Sequence, residues 1–303
     1  MATIGKIKIR LQGHEKFALR DGWITKGLMN VSKNAAVFQG KDAPDIFGIG
    51  NNMVKSLRYW MKAFNLISEN PSKGAKLTEL GEIIYQNDPY IEDNFTLWIL
   101  HSQIATNIEE ATSWYMFFNR CDFEDSDKST IENIVTREIS KYVLGQSFSS
   151  NSVKNDIDVI LNMYGKIRDW KDPEDKNISP FASLGLIRNV DGVYSKSSPD
   201  SRSISVWVIL YGLANIMEQS DNISIEKALY GDKGIFKIYQ LKNVVANEML
   251  DKIEAMVNNI IKDKLNSNQL NECDLTFKDL EVIKACFLKV LKRKKSFHQI
   301  VYC

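Results

Sequence analysis

Apolar residues recur at helical spacing between Asn51 and Phe64, and this is the clearest pattern in the chain. Five of them fall three or four positions apart and would form one buried face: Met53, Leu57, Trp60, Met61 and Phe64. The opposite face would carry basic and aromatic side chains: Lys55, Arg58, Tyr59 and Lys62. Asn51 or Asn52 is expected to cap the helix, because an asparagine side chain can accept from the first unpaired backbone amides.

A hairpin is predicted directly after this helix. The turn-rich segment 68–75 separates two short apolar runs, and two basic residues would lie on the resulting wing: Lys73 and Lys76. Before the helix, the segment 15–28 is expected to form a shorter helix, where two more basic residues could support the first set: Arg20 and Lys26. Two helices and a hairpin in this order are typical of a winged helix-turn-helix, which contacts DNA phosphates and base edges.

The same pattern occurs a second time, around residues 130–200. An amphipathic helix is predicted at 149–164, and Asp191-Gly192 lies between two strand-like runs, which strongly favours a β-hairpin. The polar side of this second helix carries a mixed set of residues: Lys154, Asn155, Asp158 and Asn162. Because an acidic side chain repels phosphate, we interpret the second unit as a structural or protein-contacting winged helix.

These patterns predict a mainly α protein with small β-hairpins, of the α+β class. The N-terminal residues alternate like a strand, and the aromatic residues of 94–119 are expected in the core. Four segments are expected: a basic winged-helix-like domain at 1–87, an aromatic-rich helical segment with an acidic loop at 88–128, a second winged-helix-like unit at 129–200 and a C-terminal helical region at 201–303.

The charges of the chain are distributed unevenly. Residues 1–76 contain 13 Lys/Arg and 5 Asp/Glu, a balance of +8, whereas residues 77–140 contain 3 Lys/Arg and 13 Asp/Glu, a balance of −10. This asymmetry favours an anionic partner for the first part, such as double-stranded DNA. The alternative is that the charges only solvate helix faces.

Composition and cysteine usage indicate an ordinary globular protein of the cytoplasm. The 303 residues are 44% hydrophobic and 25% charged, and no apolar run reaches the length of a membrane span, so that no membrane partner is expected. The four cysteines are scattered without a Cys-x-x-Cys pair and fit neither a zinc site nor a disulfide framework: Cys121, Cys273, Cys286 and Cys303.

Reactive residues do not converge in the sequence, and we expect no catalytic residue, no cofactor and no metal. The three histidines lie far apart, and His101 is interpreted as a hydrogen-bonded core residue rather than a ligand or base. Three carboxylates precede the predicted helix at residue 94: Asp88, Glu92 and Asp93. They could bind a metal, but helix capping or contact with a basic protein partner is favoured.

Several stretches resemble a bacterial family known as domain of unknown function number four thousand and seven. The resemblance rests first on Phe17-x-Leu-Arg-x-Gly-Trp-Ile-x-Lys-Gly-Leu and on Phe47-Gly-Ile-Gly-Asn-Asn-Met-Val-Lys-Ser-Leu-Arg-Tyr-Trp. Four shorter stretches add to it: 77–81, 88–93, 96–101 and 114–119. The resemblance implies genes in phage-defence islands, beside PAPS-reductase-like sulfurtransferase genes of DNA phosphorothioation, and it implies no established catalytic residues.

The sequence therefore favours a non-enzymatic DNA-binding component of a bacterial DNA-modification or anti-phage defence system. Its interface would be the basic face of the first unit. The alternative is an adaptor that docks a sulfurtransferase or ATPase partner through the acidic region 77–140. A sulfur-transfer subunit and a transcriptional regulator are less favoured.

Overall fold

The computed structural model describes residues 7–166, 179–200, 202–217, 229–245, 247–249, 251–253 and 255. The chain divides into two compact units, Met1–Ser197 and Ser198–Cys303. In the described residues, helices dominate and the strands form two small antiparallel sheets. The predicted combination of helices and small hairpins is confirmed.

The first unit begins with three helices and a hairpin. These elements are α1 (Trp23–Lys33), α2 (Ala43–Phe47), α3 (Asn51–Ala63), β1 (Ile67–Asn70) and β2 (Gly74–Leu77). Strands β1 and β2 pair in antiparallel register from Ile67 opposite Leu77 to Asn70 opposite Gly74, so that the predicted hairpin is present. Helix α1 starts at Trp23, later than the segment that the sequence suggested.

Helix α3 has the apolar face that its pattern predicted, with one exchange. Val54 is buried, whereas Met53 is only half-buried. The N-cap is Gly50, and no side chain caps the helix. The expectation that Asn51 or Asn52 caps it is therefore wrong, because the chain turns one residue earlier and both asparagines lie in the first helical turn.

Strand β2 also contacts the segment that follows α1. The backbone N–H of Ala75 donates to the carbonyl oxygen of Ala35 at 2.7 Å. Gly74 has a φ of +80°, and a Cβ at this position would lie 2.2 Å from the Ala35 oxygen. Both the backbone conformation and the close approach therefore require glycine.

The remaining helices of the first unit form its core and its second half. They are α4 (Glu79–Asn87), α5 (Asn94–Thr106), α6 (Thr112–Asn119), α7 (Lys128–Tyr142) and α8 (Ser150–Gly165), and a short 3-10 helix spans Pro180–Leu184. All eight residues of α6 and most of α5 are buried, which confirms the prediction that the aromatic-rich stretch lies in the core.

The second sheet has the strand order β3–β5–β4. Its strands are β3 (Ser126–Asp127), β4 (Ile187–Val190) and β5 (Val193–Lys196). Asp191 and Gly192 both have positive φ, at 53° and 84°, as a type I′ hairpin turn requires, and the predicted hairpin is confirmed. Strand β3 has two residues, too few to give a sequence pattern.

The N-terminal arm, residues 7–16, is not a strand, contrary to the alternation in its sequence. Its backbone is instead held by side chains from later helices. The N–H of Arg10 donates to Thr112 Oγ1 at 2.9 Å, and the N–H of Gln12 donates to Asp156 Oδ1 at 2.8 Å. Residues 1–6, where the expected strand begins, lie outside the described residues.

The second unit is described in part. It contains α9 (Val206–Met217) and α10 (Ile235–Ile238), and the hydroxyl of Tyr239 donates to the carbonyl oxygen of Val208 at 3.0 Å. The part of the predicted C-terminal helical region that follows residue 255 lies outside the described residues. None of the helices in the described ranges is long and apolar enough to cross a membrane.

Candidate nucleic-acid interface

The first turns of α3 present polar and basic groups to solvent. Asn51, Asn52 and Lys55 are exposed, and Lys55 Nζ donates to Asn52 Oδ1 at 3.3 Å. Lys26 reaches across from α1 and donates to the carbonyl oxygen of Phe47 at 2.9 Å, at the end of α2. Its ammonium therefore lies beside the turn that leads into α3, where the positive end of the helix dipole also points.

Tyr59 is not part of this exposed surface, and its predicted role in DNA contact is wrong. Its side chain is 2% exposed and lies against the ring of His14, while the guanidinium of Arg10 covers it at 5.5 Å. Burial raises the pKa of the Tyr59 phenol well above its ordinary value, and the negative charge of Asp156 raises it further. The predicted helix face is divided because the N-terminal arm covers one side of α3.

Arg58 and Lys62 lie on the surface of α3, but both are paired with carboxylates of the same chain. Arg58 forms a two-pronged contact with Glu69 of β1, from Nε at 2.5 Å and from Nη2 at 3.1 Å. Lys62 Nζ lies 3.8 Å from Glu69 and 3.6 Å from Glu110. These two cations are therefore compensated within the chain.

Glu110 also contacts two basic residues that were not predicted from the sequence, Lys8 and Arg10. Lys8 Nζ lies 3.4 Å from Glu110 and 2.8 Å from Glu109, and Arg10 lies 3.2 Å from Glu110. We call this group the charge cluster: Lys8, Arg10, Arg58, Lys62, Glu69, Glu109 and Glu110. Its partners are up to 102 positions apart (Lys8 and Glu110), and no local sequence signal could have found it.

The wing carries the predicted lysines. Lys73, in the turn, and Lys76, on β2, are exposed, and neither forms an ion pair with a described residue. Arg20, which was predicted to support the basic face, does not lie on the wing. Its guanidinium lies over the rings of Phe17 and Trp23 at 6.0 and 5.8 Å, and it lines a small cavity with Ile91 ahead of α5.

Of the three carboxylates before α5, Asp93 caps the helix and Asp88 holds the loop that precedes it. Asp88 accepts from the N–H of Glu92 at 2.9 Å and of Asp93 at 3.1 Å, and Asp93 accepts from the N–H of Phe95 at 2.8 Å as the N-cap. The capping interpretation is supported, and Glu92 stays exposed beside Tyr90. Within the described ranges, no group of three or more His, Cys, Asp or Glu side chains could hold a metal ion.

A buried polar cluster joins the arm to α6 and α8. Asp156 accepts from His14 Nε2 at 2.7 Å and from Ser113 Oγ at 2.5 Å, and all three side chains are buried. His14 Nδ1 accepts from the N–H of Lys16 at 3.1 Å, so that the proton is on Nε2. The carboxylate lies between the serine and the histidine, and no solvent reaches the serine, so that the arrangement fixes the arm and does not activate a nucleophile.

Two other groups considered for chemistry are core residues. His101 is fully buried and its Nδ1 lies 2.9 Å from the hydroxyl of Tyr164, as the core interpretation expected. Cys121 is buried, and burial raises the pKa of its thiol to about 12. A thiol of this kind is protonated at neutral pH and is a poor nucleophile. The other three cysteines lie outside the described residues.

The polar face of α8 is engaged within the chain. Lys154 lies 4.0 Å from Glu132, Asp158 pairs with Lys128, and the Asn155 amide donates to Gln12 at 3.0 Å. This helix supports the arm, in agreement with its interpretation as a structural element.

Comparison with known proteins gives structural neighbours and a family. A magnesium-bound crystal structure of SspB superposes with a TM-score of 0.73 and 25% sequence identity, covering 81% of this chain and 78% of that chain. A second SspB crystal structure gives a TM-score of 0.71 at the same identity and coverage. No curated protein matches the chain significantly. The model of the family described as "Protein of unknown function (DUF4007)" matches residues 11–287, and the chain therefore belongs to the DUF4007 family.

Proposed function

We propose that residues 23–77 form a winged helix-turn-helix. The order of the elements supports this assignment: α1, the bridging residue Ala35, α2, the three-residue turn Gly48–Gly50, α3 and the β1–β2 hairpin. In this plan α3 is the recognition helix and the hairpin is the wing.

A second winged helix is supported by the same order in residues 112–196. Helix α6 is followed by β3, then by α7 and α8, then by the β4–β5 hairpin, and β3 pairs with β5 on the outer side. The contact of Ala35 with β2 in the first unit corresponds to this pairing. The repeat supports two units of one plan with different surfaces.

We infer that the protein binds double-stranded DNA through the first unit. The observation that carries this proposal is the set of exposed, uncompensated lysines on both DNA-facing elements of the unit. Lys55 lies on the first turns of α3 with Asn51 and Asn52, and Lys73 and Lys76 lie on the wing. Lysines suit phosphates, and asparagine amides suit phosphates or base edges.

The biological setting of the proposal comes from the family resemblance. We propose a non-enzymatic DNA-binding component of a bacterial DNA-modification or anti-phage defence system, such as DNA phosphorothioation. The buried thiol of Cys121 disfavours a sulfur-transfer role for that residue. The neighbouring SspB structure contains magnesium, but in the described part of this chain no three His, Cys, Asp or Glu side chains come together as a metal site would require, and no step is assigned to a metal.

The proposal is tested by titrating duplex DNA against the full chain at several salt concentrations. Released counterions give a slope of log affinity against log salt of about −0.9 for each phosphate contact. Lys55→Glu and Lys76→Glu are each expected to weaken binding and to reduce this slope by about 1. Lys242→Glu, which changes an exposed lysine of the second unit, is the control of equal charge.

If the Lys55→Glu and Lys76→Glu variants bind DNA as tightly as the control variant does at low salt, the proposed interface is wrong.

An adaptor function is the second candidate, because Tyr90 is 58% exposed within the acidic region, beside Glu92. If the protein is an adaptor, Glu92→Lys should weaken its binding to a sulfurtransferase or ATPase partner. An adaptor should also show no steep salt dependence in the DNA titration.

A further inference from the structure

Three cations converge on one carboxylate in the charge cluster. The charged ends of Lys8, Arg10 and Lys62 lie 3.4, 3.2 and 3.6 Å from oxygens of Glu110. The three cations come from the arm and from α3, which are distant in sequence and are brought together here. A site with three cations around one anion has the composition of a phosphate site, with a carboxylate in the place of the phosphate.

A second carboxylate, Glu69, is held by two cations in the same way. Arg58 contacts both of its oxygens, at 2.5 and 3.1 Å, and Lys62 lies 3.8 Å away. A guanidinium binds a phosphate with the same two-pronged geometry. Because Lys62 contacts both Glu69 and Glu110, the two anion positions are neighbours along one row.

Three cations of this row lie outside, and the two carboxylates Glu69 and Glu110 lie beneath them. The side chains of Lys8, Arg58 and Arg10 are 61%, 45% and 40% exposed, whereas those of Lys62, Glu69 and Glu110 are 26%, 16% and 17% exposed. Glu109, which pairs with Lys8 at 2.8 Å, is as exposed as that lysine. An anionic ligand that approaches from solvent therefore meets the cations first. Glu69 and Glu110 cancel charge that would otherwise be available to it.

We propose that Lys8, Arg10, Lys62 and Arg58 form a second phosphate-contacting row of the DNA interface, which Glu69 and Glu110 occupy in the unbound protein. This inference rests on the proposed DNA binding. Exposed ion pairs are weak and are screened by salt, whereas each phosphate contact also releases counterions from DNA. DNA phosphates therefore displace the carboxylates and use the row at low salt, and the two glutamates lower the affinity.

The test removes the charge of the two glutamates and keeps their shape. Glu69→Gln with Glu110→Gln is expected to bind duplex DNA about tenfold tighter at low salt, with a salt slope steeper by about 2. Glu79→Gln with Glu82→Gln is the matched control, because these exposed residues of α4 give the same change in net charge and form no ion pair with a described residue. Thermal unfolding of each variant checks that the fold is retained.

A double-mutant cycle identifies the released cation. Arg58→Ala is expected to weaken DNA binding more in the Glu69→Gln background than in the wild type, because only there is the guanidinium fully available. Equal costs in both backgrounds would overturn the inference, and so would a double glutamine variant that binds no tighter than its control.

The outcomes separate this inference from the proposed function. If the wild type binds DNA with a steep salt slope and the glutamine variants match the control, the interface stands and the second row is refuted. If neither the wild type nor the double glutamine variant binds DNA, both proposals fail. If only the double glutamine variant binds DNA, the proposed function of the wild type fails, although the cations of the row can then contact phosphates.

Discussion

Replacing Asp156 by asparagine is expected to destabilise the Met1–Ser197 unit by about 1–3 kcal/mol, because it removes a buried carboxylate that is an acceptor for three hydrogen bonds. The carboxylate is 1% exposed and accepts three hydrogen bonds, from His14 Nε2 at 2.7 Å, Gln12 N at 2.8 Å and Ser113 Oγ at 2.5 Å. Asparagine has the same shape and leaves no cavity. It keeps one accepting oxygen and replaces the other with a donating amide.

The magnitude follows from the loss of the negative charge on the acceptor. A hydrogen bond to a charged group contributes about 1.5–3 kcal/mol, whereas one between neutral groups contributes about 0.5–1.5 kcal/mol. The remaining oxygen of asparagine can keep the bonds from Gln12 and His14, and the new amide can donate to the Ser113 hydroxyl, which then accepts. The expected cost is therefore that of weakened hydrogen bonds and a reversed serine hydroxyl.

Urea unfolding followed by tryptophan fluorescence measures the effect. Trp60 and Trp114 lie 5.9 and 5.7 Å from the ring of His14 and report on the cluster directly. Asp158→Asn is the control, because Asp158 lies two positions further along α8, is 49% exposed and pairs with Lys128 on the surface. That surface pair is expected to contribute about 0–1 kcal/mol. Equal midpoints for the Asp156 and Asp158 variants would refute the role assigned to the cluster.

Three further predictions concern single residues. Gly74→Ala is expected to cost about 1–3 kcal/mol in urea unfolding, because a Cβ would lie 2.2 Å from the Ala35 oxygen in a backbone with positive φ. Cys121 is expected to resist iodoacetamide at pH 8 in the native protein and to react in urea, as peptide mass spectrometry would show, because burial raises its pKa to about 12. The hydrogen bonds from Thr130 lower the pKa of Asp127. The ionised carboxylate therefore stabilises the start of α7 fully at pH values above the ordinary pKa of aspartate. This stabilisation is lost as the pH falls through the lowered pKa. The protection of the Thr130 amide against hydrogen exchange, relative to its intrinsic rate at the same pH, should therefore fall at acid pH, and Asp127→Ala should remove this pH dependence.

Local sequence patterns predicted the helices and hairpins well, because a helix face or a hairpin turn depends on residues that are close in sequence. The α3 face, the β1–β2 hairpin and the Asp191–Gly192 turn follow from spacing and turn chemistry alone. The conformation of the arm did not follow from its sequence pattern. Alternating residues form a strand only where a partner strand is present. Here the partners are side chains of α6 and α8, more than 100 positions away.

The candidate interface was harder to predict than the fold, for the same reason. Helical spacing correctly placed Arg58 and Lys62 toward solvent but could not place Glu110 beside Lys62. It also could not show that the arm covers Tyr59, where Gly13 allows the close approach because a Cβ there would lie 2.3 Å from the ring. The count of charged residues shows that residues 1–76 are basic. It cannot show which of these cations are paired with carboxylates, because the pairs form only in the folded chain.

The arm links the two proposed winged helices, and the second of them thereby has a role in the interface proposed for the first. Lys8 and Arg10 belong to the charge cluster, and the arm that carries them is fixed at Gln12 and His14 by Asp156 of α8. On the polar face of α8, Asn155 contacts the arm, whereas Lys154 and Asp158 pair with residues of α7. Because the arm also lies on Tyr59, it packs against the buried side of α3 while it presents cations on the exposed side. The second winged helix therefore acts as the scaffold that orients two of the four cations of the proposed second row, and loosening Asp156 should weaken DNA binding through Lys8 and Arg10.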